Sequence, residues 1–250
     1  MLRAGSSLTG YGIEASDGPI GTMSDLLFDD QTWKVRWVVV DTGTWLTGRK
    51  VLIHPSSIQH LNFETQKLVV PLSKANIQAS PDILWDQPVS RQMEYDLHDY
   101  YDRDPLWGGS YYDRGPADSS LMRTQGGHGF ADANSRLSEG DPHLRSAHVV
   151  TGYHIHATDG TIGHLENLLI DDLTWTIDYL VVDTRNWWPG QHVLLAPFAV
   201  RGIDWSECQI RLGVTRAVVM SSPAWDPAEI VNQVYQKSLH LHYDWPAYGW

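Results

Sequence analysis

The chain has 250 residues, a formal net charge of −12 and a hydrophobic fraction of 42%, which suits a soluble protein of two domains, each long enough to bury its own core. A negative field of that size repels phosphate backbones and anionic lipid, which argues against nucleic acid and acidic membrane surfaces as partners. Cys208 is the single cysteine, so no intramolecular disulfide can form, and MLRAGSSLTG carries no apolar leader. No window reaches the roughly 18 apolar residues of a membrane span, and the expected location is the cytoplasm.

In chain order, Asp17-Gly18 reads as a hairpin turn, because glycine takes positive φ without a Cβ clash. Asp29-Asp30-x-Thr32-Trp33 reads as a second turn, with aspartate side chains accepting from local backbone N–H groups. Val35 to Val40 and Val51-Leu52-Ile53 are β-branched runs of strand length, the latter stopped by Pro55, and Leu68-Val69-Val70 closes the unit. Ser80-Pro81 and Trp85-Asp86 follow, then a helical stretch over about Val89 to Tyr100 and an aromatic tail from Tyr100 to Trp107. From Gly108 to Ala147 the composition turns to Gly, Ser, Asp and Arg with no sustained period, as expected of a linker.

The pattern then recurs. Thr9 to Pro55 returns as Thr151 to Pro197 without a gap, and 24 of those 47 pairs are identical. Asp159-Gly160, Asp171-Asp172-x-Thr174-Trp175, Ile177 to Val182 and Val193-Leu194-Leu195 repeat the turns and strands. Pro227-Ala228-Glu229 is expected to open a helix with Asp226 as N-cap and Ile230, Val231, Val234 and the Lys237 stem along its apolar stripe. The tail from His242 to Tyr248 closes the copy. An internal repeat of this kind decides the architecture before any local assignment does. It predicts a mainly β chain of two tandem small antiparallel barrels, each followed by a short helix and an aromatic/proline tail, related by a pseudo-two-fold. The expected units are 1–107, a linker 108–147, and 148–250.

The residues Asp17-Gly18-x-Ile20-Gly21, Asp25-Leu26-Leu27-x-Asp29, Val38-Val39-Val40 and Val51-Leu52-Ile53-x-Pro55, with their second-copy counterparts, resemble the PRC-barrel family. That family includes the cytoplasmic domain of the photosynthetic reaction-centre H subunit and the C-terminal domain of the ribosome maturation factor. The resemblance is strongest to bacterial tandem PRC-barrel proteins and implies a small β-barrel used as an assembly or adaptor module, often self-associating. Turns and strands identify fold better than function.

The chemistry-bearing residues are sparse. Asp29-Asp30 and Asp171-Asp172 fit turns better than acid/base catalysis, since neighbouring strand residues face opposite ways. His154-x-His156 would share one strand face and are the candidate metal ligands, with His164 or His192 as a third; a solvated histidine face is the plainer reading. His240-x-His242, if helical, diverge. Cys208 has no evident activating cation. Tyr101, Trp107, Tyr243, Trp245 and Tyr248 in the tails, and Trp187-Trp188 in a loop, are the interaction candidates, against the alternative that each tail covers its own barrel.

These features predict a non-enzymatic scaffold, adaptor or self-assembling structural protein without a cofactor, whose partner is protein, in the first place itself. A metal- or small-ligand-binding stress module and a peripheral partner of a photosynthetic or electron-transfer membrane complex are the alternatives.

Overall fold

The computed structural model describes residues 1–46, 49–79, 143–184, 192–227 and 230–246. The first unit contains β2 (Gly12–Ala15), β3 (Gly18–Asp29), β4 (Val35–Asp41), β5 (Lys50–Ile53), β6 (His60–Asn62) and β7 (Lys67–Val69). The second repeats the series as β9 (His154–Ala157), β10 (Gly160–Asp171), β11 (Ile177–Asp183), β12 (His192–Leu195), β13 (Val200–Asp204) and β14 (Gln209–Leu212). The strand orders are β5-β4-β3-β2-β7-β6 and β12-β11-β10-β9-β14-β13. The chain is thus mainly β and built from two equivalent units, as the repeat predicts.

The sheets are mixed rather than wholly antiparallel, because β7 runs parallel to β2 and β14 parallel to β9. Counting reversals gives the reason. The antiparallel meander β2 to β5 leaves β5 running against β2, and one further reversal at the β6–β7 hairpin brings β7 back in the sense of β2. Pro55 and Pro197 each open a 3-10 turn, where a missing N–H costs nothing.

A seventh strand joins each sheet from the other half of the chain. β1 (Leu2–Ala4) pairs with β10 of the second unit, and β8 (Leu144–Ser146) pairs with β3 of the first. Each arm continues into a four-residue helix, Gly5–Leu8 or Ala147–Val150. The expected linker therefore ends earlier than Ala147: residues 144–146 form a strand and Ala147 starts a helix. The sequence signal for this is weak, since a three-residue strand has no period to read.

In β4 six consecutive residues, Val35 to Val40, are buried, as in a strand covered on both faces. The outward set Leu27, Trp37, Val39 and Leu52 forms a small cluster of its own. In the second unit the corresponding face, with Tyr179 and Val181, merges into the main core beneath the helix Gln233–Tyr243. Leu239 of that helix is wholly buried, and the Tyr179 hydroxyl lies 2.9 Å from His240 Nε2.

That helix starts later than Pro227 suggests. Its N-cap is Asn232, whose side chain accepts from the Tyr235 N–H, and not Asp226; Ile230 precedes it, and Ile230 and Val234 are exposed. The buried stripe runs through Leu239 and Tyr243, four residues apart. Asn232 supplies the cap oxygen that fixes the register, overriding the Pro-at-N1 signal five residues upstream. The stretch Val89 to Tyr100 expected in the first unit lies outside the described residues.

One glycine per unit is obligatory for steric reasons. A Cβ on Gly21 (φ 153°) would stand 2.1 Å from the Asp41 carbonyl oxygen, and one on Gly163 (φ 150°) 2.0 Å from that of Asp183. This explains the second glycine of Asp-Gly-x-Ile-Gly: β3 and β4, and β10 and β11, cross too closely there for any side chain.

Candidate functional site: the seam between the units and the groove beside it

The two units meet where the Asp-Asp-x-Thr-Trp turns face each other. Asp29 Oδ1 accepts from the N–H groups of Gln31 (3.0 Å) and Thr32 (2.7 Å), and Asp171 Oδ1 accepts from those of Leu173 (3.0 Å) and Thr174 (2.9 Å). Each turn ends on a tryptophan in the left-handed region, Trp33 at φ 57° and Trp175 at φ 56°. That conformation costs a non-glycine residue roughly 1–2 kcal/mol. It aims each tryptophan's carbonyl at the opposite unit. The Val35 N–H donates to the Trp175 carbonyl at 2.8 Å, and the Ile177 N–H donates to the Trp33 carbonyl at 2.7 Å. Lys34 bridges Thr176, its own counterpart in the repeat. The pseudo-two-fold passes through this bridge.

The exchanged arms fasten the seam. Arg145, on β8, pairs with Asp30 of the first unit at 2.9 Å and lays its guanidinium 3.7 Å over the ring of Trp205 in the second. Its counterpart Arg3 lies 3.6 Å from Asp172 of the second unit and 3.8 Å over Phe63 of the first. His143 Nδ1 lies 2.8 Å from Asp30, and at the matching place the Met1 amino group contacts Asp171 and Asp172. Asp25 accepts from the Ser146 hydroxyl and the His148 N–H at the start of one arm helix; Asn167 accepts from the Ser6 N–H at the other. The first aspartate of each pair therefore holds its own turn, as its position predicts, and the second holds the opposite arm.

The copies differ in charge beneath the turns. Arg36, 2% exposed, stands 3.3 Å from Asp29. Its counterpart is Asp178, whose carboxyl is pushed up to about 6 by burial and by the Asp171 charge nearby. Burial also pushes Asp171 upward, but the N–H groups of Thr174 and Leu173 and the Met1 amino group outweigh it and hold that carboxyl below the ordinary carboxylate range.

A cavity of about 890 Å³ opens at one end of the seam. Trp33, Phe198 and Trp205 give it apolar walls, and Lys34, Arg145 and Arg201 bring cations to it. Asp30 lines the cavity too and offsets Arg145, so the local excess of positive charge rests on Lys34 and Arg201; in a chain with a net charge of −12 it suits a segment carrying an apolar side chain beside a carboxylate.

His154 and His156 share one face of β9, His154 exposed and set opposite His164 on β10, His156 beside Thr161. His164 and His192, the proposed third ligands, instead meet carboxylates: His164 Nε2 is 3.6 Å from Asp183, and His192 Nε2 is 2.9 Å from Glu166. His240 and His242 diverge along their helix, His242 Nε2 reaching the Val218 carbonyl at 2.8 Å. Tyr243 and Trp245 stack at 4.1 Å, with Tyr243 buried against its own unit and Trp245 packed on the same core. Tyr101, Trp107, Trp187, Trp188 and Tyr248 lie outside the described residues. Arg145, Trp205, Arg201 and Phe198 were not singled out from the sequence. The matched offset of Arg3 with Arg145, and of Phe63 with Trp205, is a sequence signal for two of them; Arg201 and Phe198, matched to Gln59 and Ser56, have none.

No helix among the described residues is long and apolar enough to cross a membrane. No curated protein matches the chain. The family model of the PRC-barrel domain matches residues 4–77 and does not extend to the second unit. The N-terminal unit, residues 4–77, is a PRC-barrel domain.

Proposed function

We propose that the protein is a non-enzymatic scaffold or adaptor in which two PRC-type units act as one rigid platform. The observation that carries this reading is the reciprocal exchange of β1 and β8. An arm paired into the opposite sheet and held there by buried or half-buried side chains ties the units more firmly than surface contact alone, as in an exchanged homodimer. A fixed platform favours binding, because a preorganised surface loses little entropy on meeting its partner. The groove beside the seam is the favoured docking place. It offers aromatic walls with cations, and aromatic and arginine side chains carry most of the energy in protein interfaces. The partner class that fits is a protein segment presenting an apolar side chain next to Asp or Glu.

The test is native capture of the full chain and of Arg201→Glu and Phe198→Ala variants, with co-purifying proteins identified by mass spectrometry and native mass measured in parallel. A stoichiometric partner retained by the wild type and lost by both variants is the expected result. Recovery of the chain alone, at the same mass in all three, would overturn the adaptor reading.

A further inference from the structure

The second unit holds a cluster that the first unit lacks. Glu166, Asp183 and His192 place one ligand atom each within 4.8 Å of one another, and His164 Nε2 lies 3.6 Å from Asp183 Oδ2. We propose that this cluster is a binding site for a divalent first-row transition ion, with Zn²⁺ as its probe.

The sheet register builds the site. His154, His164, Asp183 and His192 are direct partners across β9, β10, β11 and β12, so they form one rung with side chains on one face, His154 at its exposed end. Glu166 joins them from a β-bulge, where β10 carries one extra residue between Leu165 and Asn167. Bulges re-aim side chains in this way. The close crossing at Gly163 fixes the Asp183 backbone against β10, so the central carboxylate sits on a rigid support.

The donor set has the chemistry of a metal centre. An imidazole nitrogen and two carboxylate oxygens, with the His164 imidazole beside Asp183 as a fourth donor, suit Zn²⁺ and its neighbours better than Mg²⁺ or Ca²⁺, which prefer all-oxygen shells. Metal–ligand distances near 2 Å put ligand atoms about 3–4 Å apart. The separations of 2.9 and 3.6 Å, and the 4.8 Å within which the Glu166, Asp183 and His192 donors all lie, cover that range, so small side-chain rotations bring those three onto one ion. The side-chain exposures grade from 3% for Asp183 and 18% for His192 to 35% for His164 and 41% for Glu166, a site anchored at depth and open to an entering ion.

The comparison within the chain singles out the site. At the matched positions the first unit has Thr22, Ser24, Asp41 and Lys50. The bulge is kept, since Ser24 lies between Met23 and Asp25 in the same register shift. The fold therefore does not require donors here. Only the aspartate is common to both copies, and Asp41 is exposed where Asp183 is buried. Three of the four positions have gained a metal-ligating side chain in one copy.

The test uses the untagged full chain, stripped with a chelator and titrated with Zn²⁺ by calorimetry and with Co²⁺ by visible absorption. One equivalent should bind with micromolar or tighter affinity, and Co²⁺ should give ligand-field bands of a nitrogen/oxygen site. His192→Ala and Glu166→Gln should each weaken binding at least tenfold, and His164→Ala/His192→Ala should abolish it along with the Co²⁺ bands. His60→Ala, an exposed histidine of the first unit, should leave binding unchanged. Glu166 is largely solvent-facing, so Glu166→Gln keeps the fold even if a histidine variant does not. No stoichiometric uptake by the wild type, or uptake that survives in Glu166→Gln and in the double variant, would overturn the site.

Discussion

The two units share one backbone plan and differ in what they place on it. Positions that build the frame or the seam are kept in kind: Gly21 and Gly163, Asp29 and Asp171, Trp33 and Trp175, Arg3 and Arg145. Positions beneath and beside the seam diverge in charge. Arg36 becomes Asp178, Asp25 becomes Asn167, Lys50 becomes His192 and Ser24 becomes Glu166. The difference shows which interactions the pseudo-two-fold needs in duplicate and which each unit can change alone. A close backbone crossing has one steric solution, whereas a half-exposed polar position has many.

The comparison breaks most severely at the shared glycines. Gly21→Ala and Gly163→Ala should each cost about 3–5 kcal/mol or prevent folding, and by similar amounts, since each Cβ would fall inside a carbonyl contact. Urea denaturation of both variants checks this, and a mild loss in either would mean the crossing can relax.

The exchanged arms predict a change of assembly when the copies are separated. Residues 143–250 alone should form a homodimer, with Leu144–Ser146 pairing to Leu169–Asp171 of the other molecule and Arg145 meeting Asp172. Analytical ultracentrifugation decides it; a stable monomer at micromolar concentration would show that the arm can find its own sheet.

Beneath the turns the copies should respond in opposite ways. Arg36→Ala leaves Asp29 buried without this cation and should cost about 3 kcal/mol, as breaking a buried pair does. Asp178→Arg, which recreates the first unit's charge order against Asp171, should be neutral or stabilising by thermal denaturation.

The two arm arginines should grade by geometry. Arg145→Ala loses a 2.9 Å ion pair and a ring contact and should cost about 1–2 kcal/mol. Arg3→Ala, more exposed and 3.6 Å from its carboxylate, should cost under about 1 kcal/mol. Equal losses in chemical denaturation would show that the ring stacking, common to both, dominates.

The smallest expected effect is a pH dependence. Asp178 titrates near 6 in the folded chain against an ordinary value of 3.8. The folded state thus holds more protons than the unfolded one between those values. Stability from this group is present at low pH and lost as pH rises through 6. Asp178→Asn should therefore gain on the wild type in melting temperature as pH rises from about 4 to 6, and a constant offset across that window would remove Asp178 as the cause.

Much of the fold is legible in the residues themselves. Asp-Gly, Asp-Asp-x-Thr-Trp and the Val-rich runs carry their turns and strands because the contacts that form them are local, within two to four residues. The repeat conveyed the two-unit plan. The site was less legible for the same physical reason in reverse. Asp30 meets Arg145 across 115 positions, and His192 meets Glu166 across three strands, so no spacing along the chain announces either pair. His164 and His192 stand out as ligands from the sequence, but only the strand register shows that they share a rung with Asp183 and with His154.

The sequence by itself determined that there are two units and where their turns fall, since these follow from local contacts and repetition. Tertiary structure alone decided that each unit borrows a strand from the other, that Asp30 and Asp172 hold the opposite arm, and that a histidine–carboxylate cluster exists in one copy only as a spatial group. Those contacts depend on how distant strands align, and alignment is set by the packing of the whole core.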